Sequence, residues 1–195
     1  MQYTAAKQHI LDRLAYELSA DLTYHSLAHT KDVLRVVTDL CALEEVTPYE
    51  TRLLQTAACY HDCGFLISHV NHEEIGCGIV RATLPRYGYS AAEIERICEM
   101  ILATRIPQAP LDKLGQILCD ADLDYLGRDD FYPVGRTLYE EFRHFSVVED
   151  EASWNRLQVG FLRMHRYFTP TNRRRREPQK RAYLAEIEGL VAGNG

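Results

Sequence analysis

No stretch of this 195-residue chain approaches the roughly 20 consecutive apolar residues that a membrane-spanning helix requires. Its first residues, Met1-Gln2-Tyr3-Thr4-Ala5-Ala6-Lys7, lack the basic-then-apolar layout of a signal peptide. Both absences argue against a membrane partner and lead to the expectation of a cytoplasmic protein. The six cysteines (Cys41, Cys59, Cys63, Cys77, Cys98 and Cys119) form no CxxC pair. All lie in apolar, helical contexts, so they are expected to be reduced core residues, since a free cysteine behaves as a small buried hydrophobe. A basic excess is also missing: 22 Lys and Arg stand against 28 Asp and Glu, a net charge of −6. That balance argues against a partner bound by neutralising the phosphates of a nucleic-acid polymer. It leaves room for a local site for one small anion. No segment shows strand alternation, no internal repeat is visible, and no linker is long enough to divide domains.

What remains is helical patterning on an ordinary globular composition, 46% hydrophobic and 26% charged. Residues 3–19 carry Ile10, Leu11, Leu14 and Leu18 at helical spacing, and residues 27–44 carry Val33, Val36, Val37 and Leu40. Thr47-Pro48-Tyr49-Glu50 is a capping box with proline at the first helical position, and the helix it opens runs to a stop at Gly64. A loop over 65–71 leads to a helix over 72–87. Ser90-Ala91-Ala92-Glu93 is a second capping box, opening a helix to about Thr104. Pro107 and Pro110 break the chain before a helix over 111–126, and further helices follow at about 130–145, 150–168 and 177–191. The fold class is therefore all-α, a bundle of eight or nine helices.

Four polar residues interrupt the apolar stripes of these helices. His29 lies four before Val33 and seven before Val36. His61 lies four after Ala57 and seven after Leu54, Asp62 lies four after Ala58, and Asp122 lies four after Leu118 and eight after Leu114. The 3.6-residue period places all four inward. Asp120 and Asp124 share a face with Lys113 and Gln116, which reads as solvent, with Asp120 at most a flanking partner. Burying unpartnered imidazoles and carboxylates is costly, and one shared cation would compensate all four. A lone histidine on an apolar stripe is more often a satisfied core residue; the inference rests on four residues and three helices in phase. Two imidazoles and two carboxylates without a thiolate suit one divalent Mn, Fe, Mg, Co or Ni ion.

The blocks Tyr24-His25-Ser26-Leu27-Ala28-His29-Thr30, Ala57-Ala58-Cys59-Tyr60-His61-Asp62-Cys63-Gly64-Phe65, Asn71-His72-Glu73-Glu74 and Asp120-Ala121-Asp122-Leu123-Asp124-Tyr125-Leu126-Gly127 together resemble the HD-domain superfamily of metal-dependent phosphohydrolases. The resemblance covers about residues 22–127. It implies an all-α bundle with the metal held between helices by His29, His61, Asp62 and Asp122. It also implies one domain over 1–195: an HD core over 22–127, with C-terminal helices over 128–195 packed on it. The implied activity is hydrolysis of a phosphomonoester or phosphodiester in a small phosphorylated molecule, a nucleotide among the candidates. His72 matches a position at which relatives add a second metal; it precedes Ile75 by three and Ile79 by seven, pointing inward. Where such relatives carry a further histidine, this chain has Ala103-Thr104-Arg105. Arg105 lies four after Ile101 and seven after Cys98, so it is expected to face inward and hold substrate phosphate in place of a second metal. Asp62 and His72 are then the candidates for proton transfer, with His72 also near the phosphate. No GYP motif of the cyclic-di-GMP branch is present.

Weaker signals stay open. His25 reads as a helix-entry or supporting residue, because Ser26 caps the helix between it and His29. His69 reads as a loop residue at the pocket mouth, and Arg173 to Arg176 as a solvated helix entry. The alternative to an enzyme is a non-catalytic metal- or nucleotide-binding regulatory module. Sequence leaves the substrate, the metal and the oligomeric state open, a homodimer included.

Overall fold

The capping signals do set the helix starts. In the computed structural model, which describes residues 1–193, both capping boxes form: Thr47 with Glu50, and Ser90 with Glu93. The α-helices run in order α1 (Tyr3–Glu17), α2 (Leu27–Leu43), α3 (Pro48–Tyr60), α4 (His72–Thr83), α5 (Ala91–Ala103), α6 (Lys113–Asp122), α7 (Phe131–His144), α8 (Glu151–Met164), α9 (Pro170–Arg175) and α10 (Glu177–Gly193). Short 3-10 turns follow α3, α4 and α6 at Cys63–Leu66, Leu84–Tyr87 and Asp124–Gly127. The expected helices over 72–87 and 111–126 therefore each end in a 3-10 turn. No strand occurs among the described residues. The helix beyond the expected eight or nine is α9, one short turn-and-a-half started by Thr169 as cap and Pro170 at the first position.

Two apolar clusters hold the helices together. The first joins α1 to α6 through fully buried Ile10, Val33, Val37, Leu54, Ile97 and Leu118. Helix α3 is its centre, with every residue from Leu53 to Tyr60 buried. The second joins α7, α8 and α10 to the turn after α6 through Leu126, Phe131, Leu162, Tyr183 and Ile187. Phe131 stacks on Tyr183 there, ring centroids 4.5 Å apart. Each such aliphatic or aromatic side chain contributes roughly 1.5–3 kcal/mol by leaving water. All six cysteines are buried and free.

The face of α6 expected to meet solvent does not. Asp120 is fully buried and Asp124 nearly so. Asp120 accepts hydrogen bonds from the backbone N–H of Phe168 (2.7 Å) and Thr169 (2.9 Å) and from the Thr169 hydroxyl (2.6 Å). Asp124 accepts from Asn172 Nδ2 (3.1 Å) and Arg176 Nε (2.8 Å). The segment leading into α9 covers this face and supplies its donors. Helical phase identifies such a face as polar but says nothing of what lies over it. Gly127 permits the approach, because a Cβ there would stand 2.3 Å from the Arg176 carbonyl oxygen. Within the arginine run, Arg173 donates to the Tyr167 carbonyl (3.0 Å), while Arg174 and Arg175 are exposed.

Candidate metal centre and cavity

Three helix ends bring the four inward polar residues together. His29 sits in the first turn of α2, whose start is fixed by Ser26 capping the His29 N–H. His61 closes α3, Asp62 follows it, and Asp122 is the last residue of α6. His61 Nδ1 donates to the Ala58 carbonyl at 2.9 Å, which turns Nε2 toward the group. His29 Nε2 lies 3.3 Å from His61 Nε2 and 3.1 Å from Asp122 Oδ1. His29, His61 and Asp122 each offer one donor atom within 4.8 Å of the others. Asp62 flanks this trio, its Oδ2 3.0 Å from His61 Nε2 and 3.5 Å from His29 Nε2.

This donor set fits a divalent cation. Two imidazole nitrogens and two carboxylate oxygens converge, while buried Asp62 Oδ2 has no hydrogen-bond partner. With its proton committed to Ala58, a neutral His61 would turn a lone pair toward carboxylate oxygens, a repulsive contact. The electrostatics say the same. Burial opposes charge on His61, yet Asp62 and Asp122 outweigh it and hold the imidazolium well above its usual range. Burial likewise opposes ionisation of Asp122, but His29 and His61 bring its carboxyl down to about 2. Asp62 is driven lower still by His61, against the same burial. Two carboxylates that stay ionised in the interior call for a positive partner.

Asp62 and Asp122 open on a cavity of about 350 Å³. His25 and His72 line the same end, and Phe65 packs against both, its ring centroid 4.2 Å from His25 and 4.3 Å from His72. His72 Nε2 stands 3.6 Å from Asp62 Oδ1. Its position depends on Gly64, where a Cβ would fall 1.9 Å from the His72 carbonyl oxygen. His25 Nδ1 is held by Glu141, a residue of α7 only 3% exposed. Glu141 also accepts from the backbone N–H of Tyr24 (2.8 Å) and His25 (3.0 Å). Burial disfavours charge on both partners, but their mutual contact prevails: His25 is raised and Glu141 lowered from its ordinary value.

Arg105 does not enter this cavity. Its guanidinium pairs with Glu74 and stands 3.6 Å from Glu73 Oε2, 43% exposed. Helix α5 ends at Ala103, so helical phase no longer governs residue 105. His69 is exposed, beside Phe145 (centroids 5.6 Å apart), and does not line the cavity. Sequence reasoning missed Glu141, 116 residues from His25. The same phase test would have flagged it: Phe131, Val134, Leu138 and Glu141 follow at intervals of three, four and three.

The sequence model of the HD domain family matches residues 26–124, the stretch that contains all four convergent side chains. A crystal structure of a predicted HD superfamily hydrolase from an uncultured Thermotogales bacterium superposes with a TM-score of 0.61 at 21% identity. The match covers 96% of this chain and 92% of that one, which establishes a shared fold. No curated protein matches the chain. The family match spans just over half of the sequence and agrees with the all-helical architecture: the chain belongs to the HD domain family.

Proposed function

We propose that this chain is a metal-dependent phosphohydrolase acting on a small phosphorylated molecule. The observation that carries the reading is the convergence of four buried or half-buried donor groups, with Asp62 Oδ2 unpartnered, at the end of a cavity lined by two further histidines. His29, His61, Asp62 and Asp122 would hold one divalent ion, with Mn, Fe, Mg, Co and Ni all compatible with nitrogen and oxygen donors. Such an ion supplies an acidified water and offsets charge on phosphoryl oxygens.

The chain's own groups fit the rest of hydrolysis. Water oxygen bonds to phosphorus, the P–O bond to the alcohol breaks, and the departing oxygen needs a proton. Asp62 and His72 stand together on one side of the cavity end, placed to orient water and accept its proton. His25, held by buried Glu141, has Nδ1 engaged and Nε2 as its remaining polar atom. It is placed to bind phosphate and return a proton to the leaving oxygen. Arg105 has no part in this reading.

The test is elemental analysis of the purified protein and its Asp62→Ala variant, followed by a phosphate-ester screen with each candidate metal. The expected result is about one divalent ion per chain and turnover of a phosphate ester, both reduced in the variant. Full turnover by Asp62→Ala would refute the assignment.

A further inference from the structure

We infer that the ester cleaved at this site carries an apolar body, an aryl or short alkyl group, and is not a nucleotide or sugar phosphate. This rests on the phosphohydrolase reading and specifies its substrate. The cavity that begins at Asp62, Asp122, His25 and His72 does not stop at the metal end. It continues into the second apolar cluster, walled by Leu126, Phe131, Leu138, Phe142, Trp154 and Phe161. Leu138, Phe142, Trp154 and Phe161 are all incompletely covered by protein. Their open faces are the surface that a ligand's apolar body would take out of water.

Charge is distributed to match. No lysine or arginine lines the cavity, and its titratable groups are gathered at the metal end. Tyr24 and Tyr125 lie together beside that end, and the other polar side chains on its walls are Thr104, Gln158 and the Trp154 indole. A ribose and a base present many donors and acceptors, and each one desolvated without a partner weakens binding. A second or third phosphate would need cations that these walls do not offer. The volume, about 350 Å³, lies at the small end of the roughly 300–1,000 Å³ seen for small-molecule sites, which suits one ring or a short chain. The walls come chiefly from residues 123–162, most of which lie beyond the stretch matched by the family. The leaving group is therefore read by helices that lie mostly beyond that stretch.

The chain holds a single tryptophan, Trp154, and it stands in the cavity wall, so binding can be read without turnover. The experiment titrates the metal-loaded full-length protein with hexyl phosphate, AMP and inorganic phosphate by calorimetry and by Trp154 emission. Hydrolysis of both esters is then measured on the same preparation. Hexyl phosphate is expected to shift Trp154 emission and to bind at least tenfold more tightly than inorganic phosphate, with AMP gaining no such advantage. Its kcat/KM is expected to exceed that of AMP by at least tenfold. Leu157→Asp, at a 41% exposed wall position, is expected to weaken hexyl phosphate at least tenfold. Inorganic phosphate binding and metal content report whether that variant keeps its metal end; if it does not, the wild-type comparison decides. AMP bound and cleaved as well as hexyl phosphate overturns the inference and leaves the phosphohydrolase reading standing. Hexyl phosphate bound at Trp154 with no ester cleaved overturns the phosphohydrolase reading and leaves the apolar ligand class.

Discussion

Replacing Glu141 by glutamine tests the cavity's histidine–carboxylate pair with almost no change in volume. One Glu141 oxygen accepts the N–H groups of Tyr24 and His25 at 2.8 and 3.0 Å, and the other takes His25 Nδ1–H. A glutamine has only one oxygen to offer. It should stay on the two backbone donors, because reversing the amide would set its NH₂ against them. The amide nitrogen then faces His25 Nδ1, which must give up its proton and accept. The ring is thereby fixed as the neutral Nε2–H form and loses its charge. Hydrogen bonds to charged partners contribute about 1.5–3 kcal/mol against about 0.5–1.5 for neutral ones, so the loss is about 1–2 kcal/mol. At roughly 2–4 °C per kcal/mol for a chain of this size, Tm falls by about 2–8 °C. Loss of a positioned proton donor lowers kcat by about 10²–10⁴. The pH dependence has a definite sign. His25 is raised in the folded state, so its contribution is complete below the ordinary histidine value of about 6.5 and fades as pH rises through the folded value. Glu141 is lowered, so its contribution is present above about 4.3 and fades as pH falls through the folded value. The stability difference between wild type and Glu141→Gln should therefore peak between those limits. Chemical denaturation across pH, with kcat and metal content from the same preparations, measures all three. Unchanged kcat and a difference flat in pH would show that Glu141 serves only to cap two backbone N–H groups.

Gly64→Ala should destabilise the protein by about 1–3 kcal/mol in urea unfolding, because its methyl falls on the His72 carbonyl and the backbone must move; an unchanged midpoint would contradict that close approach. Arg105→Ala removes an exposed ion pair, so stability should change by less than about 1 kcal/mol with metal content intact; a hundredfold loss of kcat/KM would return Arg105 to the substrate site. Burial and the neighbouring Lys180 ammonium push His165 down to about 3. The unfolded chain therefore protonates first as pH falls from about 6.5, and this residue removes up to about 1.4 kcal/mol of stability per pH unit on the way to 3. His165→Gln should flatten that slope in thermal melts, and an unaltered slope would place the acid sensitivity elsewhere.

What the sequence makes legible here is what local chemistry encodes. The two capping boxes set the starts of α3 and α5, and the heptad-like spacing of valines and leucines sets the inner faces of α2 and α3. The same period turns His29, His61, Asp62 and Asp122 inward, and the helices carry them to one point. Period describes a helix only while the helix lasts, which is why Arg105, two residues past the end of α5, escapes it. Period also separates an apolar face from a polar one without saying what covers the polar one. Asp120 and Asp124 share the same polar face as Lys113, yet the backbone of Phe168 and Thr169 and the side chains of Asn172 and Arg176 close over them.

The partners that sequence does not reveal come from one region. Glu141 behind His25, the aromatic wall around Trp154 and the donors on Asp120 all belong to residues 131–176. Glu141 and the donors on Asp120 meet their partners across more than 40 residues of chain. Phase marks Glu141 as inward, but no local pattern says that it meets His25, because neither partner needs the other to make its own helix. The convergence of His29, His61, Asp62 and Asp122 is legible because it is written in the phase of single helices. The cavity beside it is not, because its walls come together only once α7 and α8 have packed against the turn that follows Asp122. Substitutions in α7 and α8 should therefore alter which esters bind, while substitutions at the ends of α2, α3 and α6 should alter whether the cation binds at all.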